Sequence, residues 1–143
     1  MSGTATTTLV VCGAHLSGQP LNPFLVGLGA VLAGTGRTAP VYRMYALPPV
    51  LDARGRVTAP ARPGLVRRGD GGAAVGVERY ELPVAALGAL LLTVAPPLAI
   101  GRLLLADGSE PLGFVCEPYA VATATDITDL GGWREYLALT PAR

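Results

Sequence analysis

Thr6-Thr7-Thr8-Leu9-Val10-Val11 runs into Cys12-Gly13-Ala14-His15-Leu16-Ser17-Gly18-Gln19, and then into Pro20-Leu21-Asn22-Pro23. Threonines and aliphatics suit a pleated, covered surface, so residues 6–11 are expected to form a buried strand. At Gly13 small and polar residues take over, and Gly13 and Gly18 permit backbone angles that other residues avoid. Asn22-Pro23 reads as a helix start, with Asn22 as cap and Pro23 at the first helical position. A strand that passes through a tight loop into a helix start aims several backbone N–H groups at one place. Such a nest suits a carboxylate or a similar small anion. The loop also holds the only histidine of the sequence, His15. Imidazole is suited to proton transfer near neutral pH, which makes His15 the candidate acid–base residue; a structural histidine is the competing reading.

The 143 residues are 50% hydrophobic and 15% charged, which fits one globular domain with a proper core, residues 1–6 forming a flexible start. A net charge of +1 makes no electrostatic case for nucleic acid or for an anionic membrane. All eleven basic residues are arginine, as fits a GC-rich bacterial genome. Cys12 and Cys116 each lie in an apolar, strand-like run and read as buried, reduced thiols of a cytoplasmic protein. Met1 to Thr8 lacks the basic start and apolar block of a signal peptide. Residues 82–101 are uncharged over about the length of a membrane span, but Pro83, Gly88, Pro96 and Pro97 would break a spanning helix.

After the loop, Phe24, Leu25, Leu28, Val31 and Leu32 make a one-sided stripe, predicting a helix over 21–33 that stops at Gly34. Residues 41–47 predict a strand, and 48–63, rich in proline and arginine, a long loop that is mobile or functional. Residues 65–67 and 73–82, around Gly69-Asp70-Gly71-Gly72, predict a hairpin. A second helix is expected over 84–92 and a second hairpin from 98–105 and 112–116, turning at Asp107-Gly108-Ser109. Residues 119–123 are expected to extend that sheet, and 132–137 to form a last helix docked by Trp133, Tyr136 and Leu137. This order argues for an α+β domain with a small mixed β-barrel or sheet and flanking helices.

Metal chemistry is not expected, because one histidine and two strand cysteines make no ligand set. The serines, Ser2, Ser17 and Ser109, lack a nucleophile-elbow context. Gly27-Leu28-Gly29 falls inside the predicted helix rather than before it, so it is no dinucleotide fingerprint, and no cofactor is expected. Glu117, at a strand end, is either a solvated cap or a poised acid–base group. Tyr45 reads as a sheet-face residue whose hydroxyl can line a pocket. Arg43 and Arg67 read as surface groups that can fork onto a carboxylate.

The segment Val11 to Asn22 resembles the opening of the C-terminal domain of allophanate hydrolase. Further pieces agree in order: Tyr42-Arg43-Met44-Tyr45-Ala46-Leu47, Pro63-Gly64-Leu65-Val66-Arg67, Gly113-Phe114-Val115-Cys116-Glu117, and Gly131-Gly132-Trp133-Arg134-Glu135-Tyr136-Leu137. The resemblance covers about Leu9 to Leu137 and implies a γ-glutamylcyclotransferase-like fold. It also implies an activity in urea breakdown: decarboxylation of N-carboxycarbamate, or a related small carboxylate, with His15 as general acid–base. Gly13, Ala14, Leu16, Ser17, Gln19, Tyr45 and Arg67 are the expected substrate-binding residues. The cyclotransferases use a glutamate after the helix that follows the central strands; residues 84–101 here hold no acid, so that activity is not implied. No serine-rich amidase signature occurs, so a free-standing relative is expected, working beside a separate amidase or as a homodimer. The alternative is a carboxylate-binding or accessory module without catalysis.

Overall fold

The computed structural model describes residues 5–139. In chain order the strands and helices are β1 (Thr6–Val11), α1 (Asn22–Gly27), β2 (Val31–Arg37), β3 (Tyr42–Leu47), β4 (Val50–Leu51) and β5 (Val57–Ala59). They continue with β6 (Arg62–Arg67), β7 (Gly76–Pro83), α2 (Leu87–Leu91), β8 (Leu98–Arg102), β9 (Leu112–Cys116), β10 (Thr125–Asp126) and α3 (Trp133–Leu139). Short 3-10 turns precede α2, follow β9 and precede α3. Of the expected flexible start, residues 1–4 lie outside the described residues, and Thr6 pairs with Pro83.

Five strands make the main sheet in the order β2-β7-β1-β9-β8. The β1–β9 pair is parallel, with Leu9 opposite Leu112 and Val10 opposite Gly113; the other pairs are antiparallel. The central place of β1 follows from its sequence. Leu9, Val10 and Val11 are all 0% exposed, as a continuous apolar run must be when both faces of its strand are covered. A second sheet, β10-β3-β6, packs against the first through β6 and β9. Gly64 of β6 allows the close approach, since a Cβ there would meet Cys116 Sγ of β9 at 2.9 Å. Tyr42 of β3 spans the two sheets, its hydroxyl accepting from the Leu104 N–H at 2.8 Å. Neither sheet closes on itself: the molecule is α+β with open mixed sheets rather than a barrel.

Four predicted elements come out differently. The helix over 21–33 is only Asn22–Gly27, capped by Leu21 without a side-chain bond. Gly29, in the left-handed region, ends the turn, and pairing with β7 draws Val31–Arg37 into a strand. Gly34, the expected stop, marks the irregularity in that pairing. The hairpin of 65–67 with 73–82 does not form, because β6 pairs with β3 while β7 lies between β2 and β1. The turn between them crosses from one sheet to the other, with Gly72 packed so tightly on the Val41 backbone that no side chain would fit. Residues 118–121 form a 3-10 turn, not a strand; Pro118 has no N–H to give a ladder. The long loop over 48–63 contains the small antiparallel β4–β5 ribbon and the start of β6.

Candidate active site

The chain leaves the main sheet after Val11 and folds back on itself at once. The N–H of Leu16 donates to Gly13 O at 3.0 Å, that of Gln19 to Leu16 O at 2.9 Å, and that of Leu21 to Ala14 O at 2.8 Å. Leu16 sinks into the core at 4% exposure. Ser17 faces β7, where its N–H and its hydroxyl each donate to the Glu78 carboxylate at 2.8 Å. The Asn22 amide donates to the His15 carbonyl at 2.9 Å and to the Tyr80 hydroxyl at 2.8 Å. Residue 15 is thus pinned through its own carbonyl and through the next residue but one.

The His15 ring lies against Phe114 of β9, centroids 4.7 Å apart and planes 21° from parallel. His15, Leu21, Arg62, Leu98 and Phe114 together wall two adjoining spaces, an inner pocket of about 50 Å³ and an outer cleft of about 560 Å³. Val11, Cys12, Gly13, Ala14 and Pro63 complete the inner pocket. The β4–β5 ribbon and residues 93–96 flank the outer cleft. Partial burial among apolar walls disfavours the charged imidazole and pushes the His15 pKa down to about 4. Arg62, half-buried, donates to Pro48 O at 2.7 Å; burial lowers its pKa too, but a guanidinium stays charged. Burial also raises the Cys12 thiol to about 12, so it is no nucleophile at neutral pH.

Behind the loop sits a second polar group. Glu78, 6% exposed, accepts from Ser17 twice, from Tyr80 Oη at 3.1 Å and from Arg134 Nη2 at 2.9 Å. Burial pushes the Glu78 carboxyl up, but these donors outweigh it and hold the group below the usual range. Arg134 of α3 also donates to Ser17 O at 2.7 Å, so the last helix grips the loop.

The expected site residues therefore divide. His15, Gly13 and Ala14 share the inner pocket. Leu16 and Ser17 serve the loop's anchorage, and Gln19 is used by its backbone, its carbonyl accepting from Asn22 N at 3.0 Å. Tyr45 packs on the small cluster of Leu47, Val66 and Cys116 and lines neither space. Arg67 lies at the far end of β6 from Arg62, roughly 16 Å along a strand, where it pairs with Glu110 at 3.5 Å. Arg62 is the arginine that reaches the cleft. Its signal was a lone cation amid Pro60, Ala61, Pro63 and Gly64. Arg43 does fork onto a carboxylate, through Nε and Nη2 to Asp126 Oδ2. Glu117 makes no cap bond to the turn it precedes. The N–H groups of Leu16, Ser17, Gln19, Leu21 and Asn22 are used within the chain; among the described residues, those of Ala14 and His15 find no acceptor in it. No group of three or more His, Cys, Asp or Glu among the described residues is placed to hold a metal ion. No helix among them is long and apolar enough to cross a membrane.

Open mixed sheets with a parallel central pair, and a loop after β1 facing β9, define a γ-glutamylcyclotransferase-like fold, shared with solved structures only 15–16% identical. Residues 7–138 match the model of the allophanate hydrolase C-terminal domain, and the chain belongs to that family. The urea amidolyase of Saccharomyces cerevisiae is 36% identical over 137 residues, 92% of this chain but 7% of that protein. The allophanate hydrolase of Kluyveromyces lactis superposes with a TM-score of 0.84 at 34% identity, over 94% of this chain and 21% of that one. A uropathogenic E. coli-specific protein superposes with a TM-score of 0.81 at 36% identity, over 96% of this chain and 99% of that one. The chain thus spans only a small part of the curated relatives it matches.

Proposed function

We propose that this chain decarboxylates a carbamate-type carboxylate, N-carboxycarbamate or a related small molecule, with His15 moving the proton. The observation that carries this reading is that one imidazole and one guanidinium, His15 and Arg62, wall a single pocket whose other walls are apolar or backbone. In the reaction, the nitrogen takes up a proton, the bond from nitrogen to one carboxylate carbon breaks, and CO2 leaves, so that N-carboxycarbamate yields carbamate. One proton is consumed for each CO2 released, and negative charge disappears at the carboxylate. Apolar walls favour that loss of charge. Arg62 holds the carboxylate, supported by the backbone N–H groups of Ala14 and His15. In the empty pocket His15 is neutral at pH 7. An anion arriving beside it raises its proton affinity, so substrate binding charges the acid that the reaction needs.

Urea amidolyase and allophanate hydrolase carry this segment within longer chains. We place this chain in the cytoplasm, in urea or nitrogen metabolism, acting on the product of an amidase. A self-paired dimer is an assembly open to it.

The test is CO2 release from N-carboxycarbamate generated in situ from allophanate by a purified amidase. Wild-type chain is expected to exceed the uncatalysed rate, and His15→Asn to lose on the order of 10²–10⁴-fold of that excess while staying folded. No acceleration by the wild-type chain would leave only the carboxylate-binding module.

A further inference from the structure

We propose that Phe114 is a positioning residue for His15: its ring holds the imidazole face-on and stabilises the imidazolium that a bound carboxylate creates. This rests on the proton role given to His15 above and names the wall that makes that role workable. Geometry is the first argument. The two rings lie nearly parallel with centroids 4.7 Å apart, inside the roughly 6 Å over which a cation is attracted to the negative face of an aromatic ring. Both residues wall the inner pocket and the outer cleft. An imidazole carries its nitrogens in its own plane, so a stack on its face leaves both of them clear. The sheet fixes Phe114 in turn. Gly113, the residue before it, lies opposite Val10 of β1, and Phe114 itself lies opposite Ile100 of β8. At 8% exposure its ring is held by packing as well.

Charge is the second argument. A proton arriving at His15 meets a like charge, Arg62, and no acid lies among the residues that wall either space. The wall residues contributed by α1, by the β4–β5 ribbon and by 93–98 are uncharged. Cys12 is held neutral by burial. Glu78, behind the loop, is occupied by Ser17, Tyr80 and Arg134. Beyond the substrate's own carboxylates, the side chain stacked on the imidazole is what offers it negative potential. An aliphatic residue in its place would exclude water equally and give the charge nothing. An acid there would charge the imidazole before substrate came. An aromatic wall suits both states, neutral when the pocket is empty and charged when it is filled.

His15 is the only imidazole of the chain, so its Cε1 proton gives a single NMR titration curve. The test titrates the full chain with and without saturating malonate, a stable shape-mimic of N-carboxycarbamate. Position 114 carries phenylalanine or its mono-, di- or trifluorinated forms. Fluorine keeps the shape of the ring but drains its face, so a purely packing role would leave the curves together. The malonate-bound midpoint of His15 is expected to fall stepwise, by about one pH unit across the series. The pH profile of CO2 release should move down with it, and Phe114→Leu should fall as far as the trifluorinated ring. A malonate-raised midpoint that stays fixed along the series overturns this inference and leaves the proton reading standing. If malonate does not raise the wild-type midpoint at all, the proton reading falls, and this inference with it.

Discussion

Glu78 and Ser17 are joined twice, the Ser17 N–H donating to one carboxylate oxygen and its hydroxyl to the other, both at 2.8 Å. A buried carboxylate on the central sheet thereby sets the path of the loop two residues after the site histidine.

Replacing that carboxylate tests how much the loop depends on it. Glu78→Gln keeps the shape but turns an amide N–H₂ toward groups that are themselves donors. It is expected to cost about 2–3 kcal/mol of stability, read by urea denaturation. The cost should shrink as pH falls through the carboxylate range, because the folded-state pKa of Glu78 is depressed. Its contribution in the wild-type chain is present above the unfolded pKa and lost as pH falls through the folded one. An unchanged urea midpoint at pH 7 would show that the loop holds itself.

His15 has the opposite chemistry but the same direction with pH. Its pKa is about 4 in the folded chain and near 6.5 unfolded, so between these values the unfolded chain binds the extra proton. Stability from this group is complete above about pH 6.5 and falls as pH drops toward 4, by at most about 3 kcal/mol. A bound carboxylate should raise the folded-state pKa and shrink the effect. Thermal melts of wild type and His15→Asn from pH 4 to 7 read the difference, and parallel curves would contradict it.

Gly13 is needed for space rather than for its backbone angle. A Cβ there would lie 2.2 Å from Pro63 Cδ, the residue after Arg62. Gly13→Ala should therefore cost about 1–3 kcal/mol by overpacking and displace the start of β6, weakening carboxylate binding as well. Loss of stability with intact binding would mean that Arg62 is placed independently of Pro63.

The cysteines give a control on packing. Cys12 and Cys116 are buried at 3% and 6% exposure, and burial raises both thiols. Alkylation at pH 8 should be negligible in the native chain and complete in denaturant, by mass spectrometry. Fast native labelling of Cys12 would show that the inner pocket opens.

What the sequence revealed and what it hid have a common cause. β1 was legible because three consecutive aliphatics need cover on both faces, and the 98–116 hairpin because Asp107-Gly108 marks its turn. The helix over 21–33 was over-extended because Val31 and Leu32, 66% and 47% exposed, fit a helical stripe as well as an edge strand, and only pairing with β7 decides. His15 stood out as the lone imidazole in a glycine-flanked loop. Arg62 did not, because arginines on the same strand are indistinguishable until the strand's approach to the loop is known. Glu78 was hidden for a related reason. Its role depends on lying opposite Val11 across the β1–β7 ladder, a register that no local pattern encodes.

The parallel pairing of β1 with β9 also has a consequence for synthesis. Leu9 meets Leu112 more than a hundred residues later, and His15 finds Phe114 only then. On the ribosome, β1 must wait for β7 and then β9 to emerge, an aliphatic run with no partner for most of translation. Contacts so distant in sequence slow folding and prolong exposure of that run. The pocket is therefore completed late in the birth of the chain, after its most aggregation-prone segment has been longest uncovered.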